Sequence, residues 1–108
     1  MALYSKVLCS DPLRDESMET KRHLIATGRV QGVGFRQFVA ATARELGIKG
    51  WVRNRADGSV EAVVAGTPEA VEIMIERTRR GPALAAVTDL KVGDAQGSFE
   101  RFEVLPTV

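Results

Sequence analysis

The sequence predicts one α+β domain, an antiparallel sheet with two helices on one face. Three observations predict it. Strand-like and helix-like patterns follow one another in the order β-α-β-β-α-β, with one more short strand at the end. An Asp-Gly turn joins the two middle strands directly, which makes them a hairpin. The chain has 108 residues, 44% apolar and 27% charged, which suits a single globular domain with a modest core and is too apolar for a disordered one.

The elements follow from their residues. "HLIATGRV" (His23–Val30) alternates and is β-rich enough for a strand. A glycine loop comes next. Phe35, Phe38, Val39, Thr42 and Leu46 then fall at helical spacing, and Gly47 suits a helix C-terminus. "IKGWVRN" (Ile48–Asn54) is the second strand, "RADG" (Arg55–Gly58) the turn, and "SVEAVVAG" (Ser59–Gly66) the third strand, with Val60, Ala62 and Val64 on one face. Thr67 offers an N-cap, with Pro68 at the first helical position and Glu69 behind it. Val71, Met74, Ile75 and Thr78 form the buried stripe of a second helix, which Gly81-Pro82 ends. "AAVTDLKV" (Ala85–Val92) is a fourth strand and "FEVLP" (Phe102–Pro106) a short fifth. This split βαβ order is the ferredoxin-like arrangement. It hosts many unrelated functions, so function has to be read from a site.

Residues 1–20 differ from the rest. "SDPLRDESMETKR" is polar, charged and without period, and reads as a mobile tail ahead of a domain over residues 21–108. Residues 1–17 are expected to add little to the fold, and Met18 is a candidate natural start. The net charge is +1, so nucleic-acid binding would need a local basic patch. Cys9 is the only cysteine and cannot form an internal disulfide. No apolar run approaches a membrane span, and Lys6 interrupts the N-terminal apolar residues, so the expected location is the cytoplasm.

"GRVQGVGFRQF" (Gly28–Phe38) carries the chemistry. A helix N-terminus presents unpaired N–H groups and the positive end of the helix dipole. Gly32 and Gly34 let the backbone take positive φ and let a ligand approach the main chain. Arg36 adds a planar, always-charged fork that matches phosphate oxygens. Together these can cradle a small tetrahedral anion, although a plain turn and a solvated arginine fit the same letters. The stretch is neither a Walker P-loop nor the dinucleotide fingerprint.

"GRVQGVGFR" resembles the first signature of the acylphosphatase family, and "GWVRNRADGSVE" (Gly50–Glu61) resembles its second. The helix end "RRGP" and the strand "AAVTDL" fit the family's C-terminal half, and the resemblance runs over about Lys21 to Leu105. It implies hydrolysis of acyl phosphates to a carboxylate and inorganic phosphate, with no metal and no other cofactor. By the same resemblance Gln31, Gly32, Val33, Gly34 and Phe35 wrap the phosphoryl group, Arg36 grips its oxygens, and Asn54 positions the attacking water.

The chemistry is coherent with this residue set. The chain has one histidine and no H-E-x-x-H motif. An acyl phosphate leaves as the conjugate base of an acid with a pKa of about 4–5, so no general acid is needed. Charge stabilisation and water placement remain, and phosphoryl transfer makes its main demands there.

Other residues have plainer expectations. His23 is expected at the surface or an edge, Trp51 in the core, and Asp57-Gly58 in turn chemistry alone. Arg29, Arg53 and Arg55 either raise the local positive potential or are solvated charges. Three other functions compete. RNA binding is disfavoured because "HLIATGRV" and "GSVEAVVAG" carry no aromatic residue to stack on bases. A non-catalytic anion module would have no use for Asn54. A unit related to carbamoyl-phosphate-processing proteins would be fused to a larger chain. A monomer acting on a small acyl phosphate, without nucleic-acid or membrane partners, is the expected form.

Overall fold

The computed structural model describes residues 19–108. The expected tail, including Cys9 and the possible start at Met18, lies outside the described residues except for Glu19 and Thr20. In chain order the elements are β1 (Thr20–Arg29), α1 (Phe35–Glu45), β2 (Lys49–Asn54), β3 (Val60–Gly66), α2 (Pro68–Arg80), β4 (Ala86–Asp94) and β5 (Phe102–Val104). The sheet order is β4-β1-β3-β2-β5. The four long strands pair antiparallel, as expected. The short β5 runs parallel to β2, so the sheet is mixed. Helix α1 lies over β2 and β5, and α2 lies over β1, β3 and β4.

Strand ends differ from the sequence pattern because pairing partners set them. β1 begins at Thr20, three residues before the apolar alternation, since Thr20 pairs with Gly66 and Arg22 with Asp94. β4 runs on to Asp94 for the same reason. β5 stops at Val104, two residues before Pro106, which has no N–H to give a ladder.

Alternation places Leu24, Ala26, Val52, Val60, Ala62 and Val64 under the helices. From the helices come Phe35, Val39, Ala40 and Ala43 of α1 and Val71 and Met74 of α2. Fully burying a side chain such as Phe35 or Leu24 stabilises the fold by about 1.5–3 kcal/mol. Phe35 also pins the start of α1 to the end of α2, because a Cβ on Gly81 would lie 3.2 Å from its ring.

The open face of the sheet, away from the helices, carries His23, Trp51, Arg53 and Glu61 at half burial, with Val63 and Ala65 buried at its centre. His23 is at the surface, as one of its two expected settings had it, and not at an edge, because β1 lies between β4 and β3; its Nε2 meets Glu61 Oε2 at 2.7 Å. One expectation is corrected here. Trp51 is not core. It is half-buried on the open face, out of phase with the buried Val52, and the Arg53 guanidinium lies 4.6 Å from its ring centroid. Arg53 Nε also donates to Glu61 Oε1 at 2.9 Å.

Burial alone would raise the Glu61 pKa, but hydrogen bonds from His23 and Arg53 outweigh it, and the carboxyl sits below its usual range. A lowered folded pKa means that the unfolded chain takes up the proton first on acidification. Glu61 therefore stabilises the fold above its unfolded pKa of about 4.3, and that contribution fades as pH falls through the folded value. The expected outcome is a thermal midpoint that drops on going from pH 6 to below about pH 4. Glu61→Gln should lower the midpoint at neutral pH and flatten that acid limb. An unchanged limb in the variant would exclude Glu61 as a contributor.

Candidate active site

The loop between β1 and α1 is shaped by glycines with different tasks. At Gly28, the first glycine of the motif, β1 carries a bulge against β4. A Cβ there would fall 2.2 Å from the Ala86 carbonyl oxygen, so close strand approach requires this glycine. Gly32 and Gly34 are left-handed, with φ of 76° and 77°, and their Cβ positions are open. Backbone conformation alone selects glycine at these two sites. A side chain in that conformation costs roughly 1–2 kcal/mol. Left-handed residues in a turn help converge successive N–H groups into an anion-binding concavity.

Gly34 is the N-cap of α1, and its carbonyl accepts from Phe38 N at 3.0 Å. It offers no side-chain cap, and the first turn of α1 contains no acidic residue. The other helix is built the opposite way. At α2, Thr67 Oγ1 accepts from Ala70 N at 3.2 Å, Pro68 removes a donor, and Glu69 answers the dipole. The N-terminus of α1 is left positive and uncapped, and Arg36 adds a full positive charge in the same turn. Among the described residues Arg36 makes no ion pair, whereas Arg22, Arg53, Arg77, Arg80 and Arg101 each do.

Phe35 has only its main chain to offer the loop, since its ring is buried and lies 6.5 Å from the Phe38 ring centroid. Val33 packs against the core and holds the loop down. Gln31 gives its side chain to neither core nor solvent. Its Nε2 donates to the Arg55 carbonyl at 2.8 Å and to the Ser59 carbonyl at 2.9 Å. These two bonds join the loop to the β2–β3 turn.

Asn54 is the last residue of β2, on the strand side that faces the helices, and it pairs with Val60. Its Oδ1 is buried and has no hydrogen-bond partner among the described residues. Leaving a buried acceptor unpaired costs about 1–3 kcal/mol, so such an atom is suited to a water or a ligand. The Asn54 main chain is held, its carbonyl accepting from Val108 N at 3.2 Å.

The flanking arginines divide. Arg53 is committed to Glu61 and Trp51 on the open face, so it does not line the loop. Arg29 is exposed at the end of β1, and Arg55 is half-buried in the hairpin turn. Asp57 does what the Asp-Gly pair suggested. Its Oδ1 accepts from Ser59 Oγ at 2.6 Å and Ser59 N at 2.9 Å, which holds its carboxyl below the usual range. No group of three or more His, Cys, Asp or Glu residues able to hold a metal occurs among the described residues. No helix there is long and apolar enough to cross a membrane.

The acylphosphatase family model matches residues 22–104. An acylphosphatase from Acidiphilium cryptum (strain JF-5) is 59% identical over 69 residues, 64% of this chain and 76% of the relative. One from Rhodopseudomonas palustris (strain BisB18) is 50% identical over 96 residues, 81% of this chain and 95% of the relative. An acylphosphatase structure from Coxiella burnetii matches with a TM-score of 0.81 at 35% identity, covering 85% of this chain and 98% of that one.

Proposed function

This chain belongs to the acylphosphatase family, and from that premise we propose how its own residues hydrolyse an acyl phosphate. Main-chain N–H groups over Gln31–Phe35 and the guanidinium of Arg36 hold the phosphoryl oxygens. Asn54 orients a water in line with the bond to the carboxyl oxygen. The water oxygen bonds to phosphorus and the carboxylate leaves with the electron pair. The water's proton passes to a phosphoryl oxygen, because the Asn54 amide is too weak a base to keep it. The reaction uses no metal and no cofactor.

The observation that supports this most is the contrast at Asn54. Its main chain is fixed on both sides of the residue, while its buried Oδ1 has no protein partner among the described residues. A structural asparagine at a strand end would spend that oxygen on the protein. The uncapped, acid-free start of α1 with Arg36 supplies the positive field that an anionic substrate needs. A cytoplasmic monomer acting on a small acyl phosphate belongs to the same reading, and the single cysteine and net charge of +1 agree with it.

The test is phosphate release from a simple acyl phosphate with and without EDTA. Equal rates are expected in both. A rate that EDTA abolishes and a divalent cation restores would overturn the metal-free mechanism. Phosphate binding without turnover would leave the loop as an anion site alone.

A further inference from the structure

We infer that Gln31 is a positioning residue, whose side-chain amide couples the anion loop to the strand end that carries Asn54. The inference rests on the proposed water-placing role of Asn54 and adds a residue that acts through it.

The geometry is specific. Both partners of the Gln31 amide are carbonyl oxygens, at 2.8 and 2.9 Å, so only its NH₂ group can face them and both its hydrogens are used. The two carbonyls belong to Arg55 and Ser59, which bracket the hairpin turn directly after Asn54. The Arg55 carbonyl also accepts from Gly58 N at 3.0 Å, and the Ser59 carbonyl from Arg55 N at 2.9 Å. Gln31 therefore binds the two acceptors that close the turn. The turn is stiffened from within by Asp57, which takes both the N–H and the hydroxyl of the buried Ser59.

The consequence follows from what holds Asn54. Its Oδ1 has no protein partner among the described residues, so its placement is inherited from the backbone of the β2–β3 hairpin. Gln31 immediately precedes Gly32, and its amide fixes the distance between that loop and this hairpin. A phosphoryl group seated in the loop and a water held by Asn54 are thus kept in register by one side chain. In-line attack is sensitive to such register, and a misplacement of about 1 Å can cost about 10²-fold in rate.

The test is a double-mutant cycle of Gln31→Met and Asn54→Ala. Turnover and inhibition by inorganic phosphate are read at a temperature where every variant is folded by circular dichroism. Methionine keeps the length and removes both donors. Gln31→Met alone is expected to lower kcat by about 10–10²-fold, with phosphate inhibition close to wild type. In the Asn54→Ala background the same substitution should cost less than about threefold, because the group it positions is already gone. Full multiplicative losses would overturn the coupling. So would phosphate affinity falling in step with kcat, which would make the Gln31 side chain part of the anion cradle. Full activity in Asn54→Ala alone would instead refute the water-placing role, and the inference with it. If Gln31→Met does not fold, Gln31→Asn is read the same way, since its shorter arm cannot span both carbonyls.

Discussion

Arg36→Ala is expected to lower turnover of an acyl phosphate by about 10²–10³ or more, the usual loss when one preorganised donor is removed from a charge-stabilising site. Arginine supplies two parallel N–H groups and a full charge, and hydrogen bonds to charged groups contribute about 1.5–3 kcal/mol each. Inhibition by inorganic phosphate should weaken in parallel, because in the proposed mechanism the guanidinium meets the phosphoryl oxygens in ground and transition states alike. No neighbour can substitute. The first turn of α1 has no side-chain cap, and Arg53 is already paired with Glu61. Arg36→Lys should not restore the rate, since a point charge cannot make the bidentate contact. Stability should move the other way. Arg36 makes no ion pair among the described residues and sits at the positive end of a helix dipole, so its loss should leave the fold unharmed or stabilise it by about 0.3–1 kcal/mol. Turnover, phosphate inhibition and a thermal melt of the one variant check all of this. A rate within about threefold of wild type would remove Arg36 from the mechanism.

That opposition of rate and stability is characteristic of a site whose requirements conflict with those of the fold. α2 has a hydroxyl cap, a proline and an acid at its start. α1 has none of these, and places a cation where the dipole disfavours one. The conflict was legible in the sequence, since Thr67-Pro68-Glu69 and Gly34-Phe35-Arg36 can be compared letter by letter. The hairpin was legible too, because Asp57-Gly58 sits between two alternating segments. Strand ends were not, because Thr20 and Asp94 join the sheet through partners distant in the chain. The setting of Trp51 was misread although a signal existed. Trp51 is out of phase with Val52, and only one of them can face the helices. His23 stands in the same relation to Leu24. The pattern for β3 was incomplete in the other direction. Val63 and Ala65, which point away from the helices, are buried along with Val60, Ala62 and Val64 on the central strand of the five. The Gln31 latch had no sequence signal, since a glutamine reaching two carbonyls across the fold leaves no period or spacing. Within the motif the side chains of Phe35 and Gln31 serve packing and the hairpin, so under the proposed mechanism the loop's own contribution to anion binding reduces to main-chain N–H groups.

Asn54→Ala is expected to separate what Arg36→Ala leaves combined. If the amide serves only to place water, its loss should lower kcat by about 10²–10³ while inorganic phosphate inhibits nearly as in wild type. The fold should tolerate the change. The Asn54 main chain keeps its pairing with Val60 and its bond from Val108 N, and the deleted Oδ1 makes no protein hydrogen bond among the described residues. Removing an unpaired buried acceptor relieves a desolvation cost and does not break a bond. Asn54→Asp should not rescue the rate. The carboxylate matches the amide in shape but brings a negative charge to an anionic phosphoryl group, so phosphate inhibition should weaken as well as turnover. The variants then give two signatures: rate and affinity fall together for Arg36→Ala and, through repulsion, for Asn54→Asp, whereas rate alone falls for Asn54→Ala. Steady-state kinetics with phosphate as inhibitor reads all three. An Asn54→Ala enzyme with wild-type turnover would place the attacking water under some other group, and an Asn54→Ala enzyme that lost phosphate affinity in step with rate would make the amide part of the cradle.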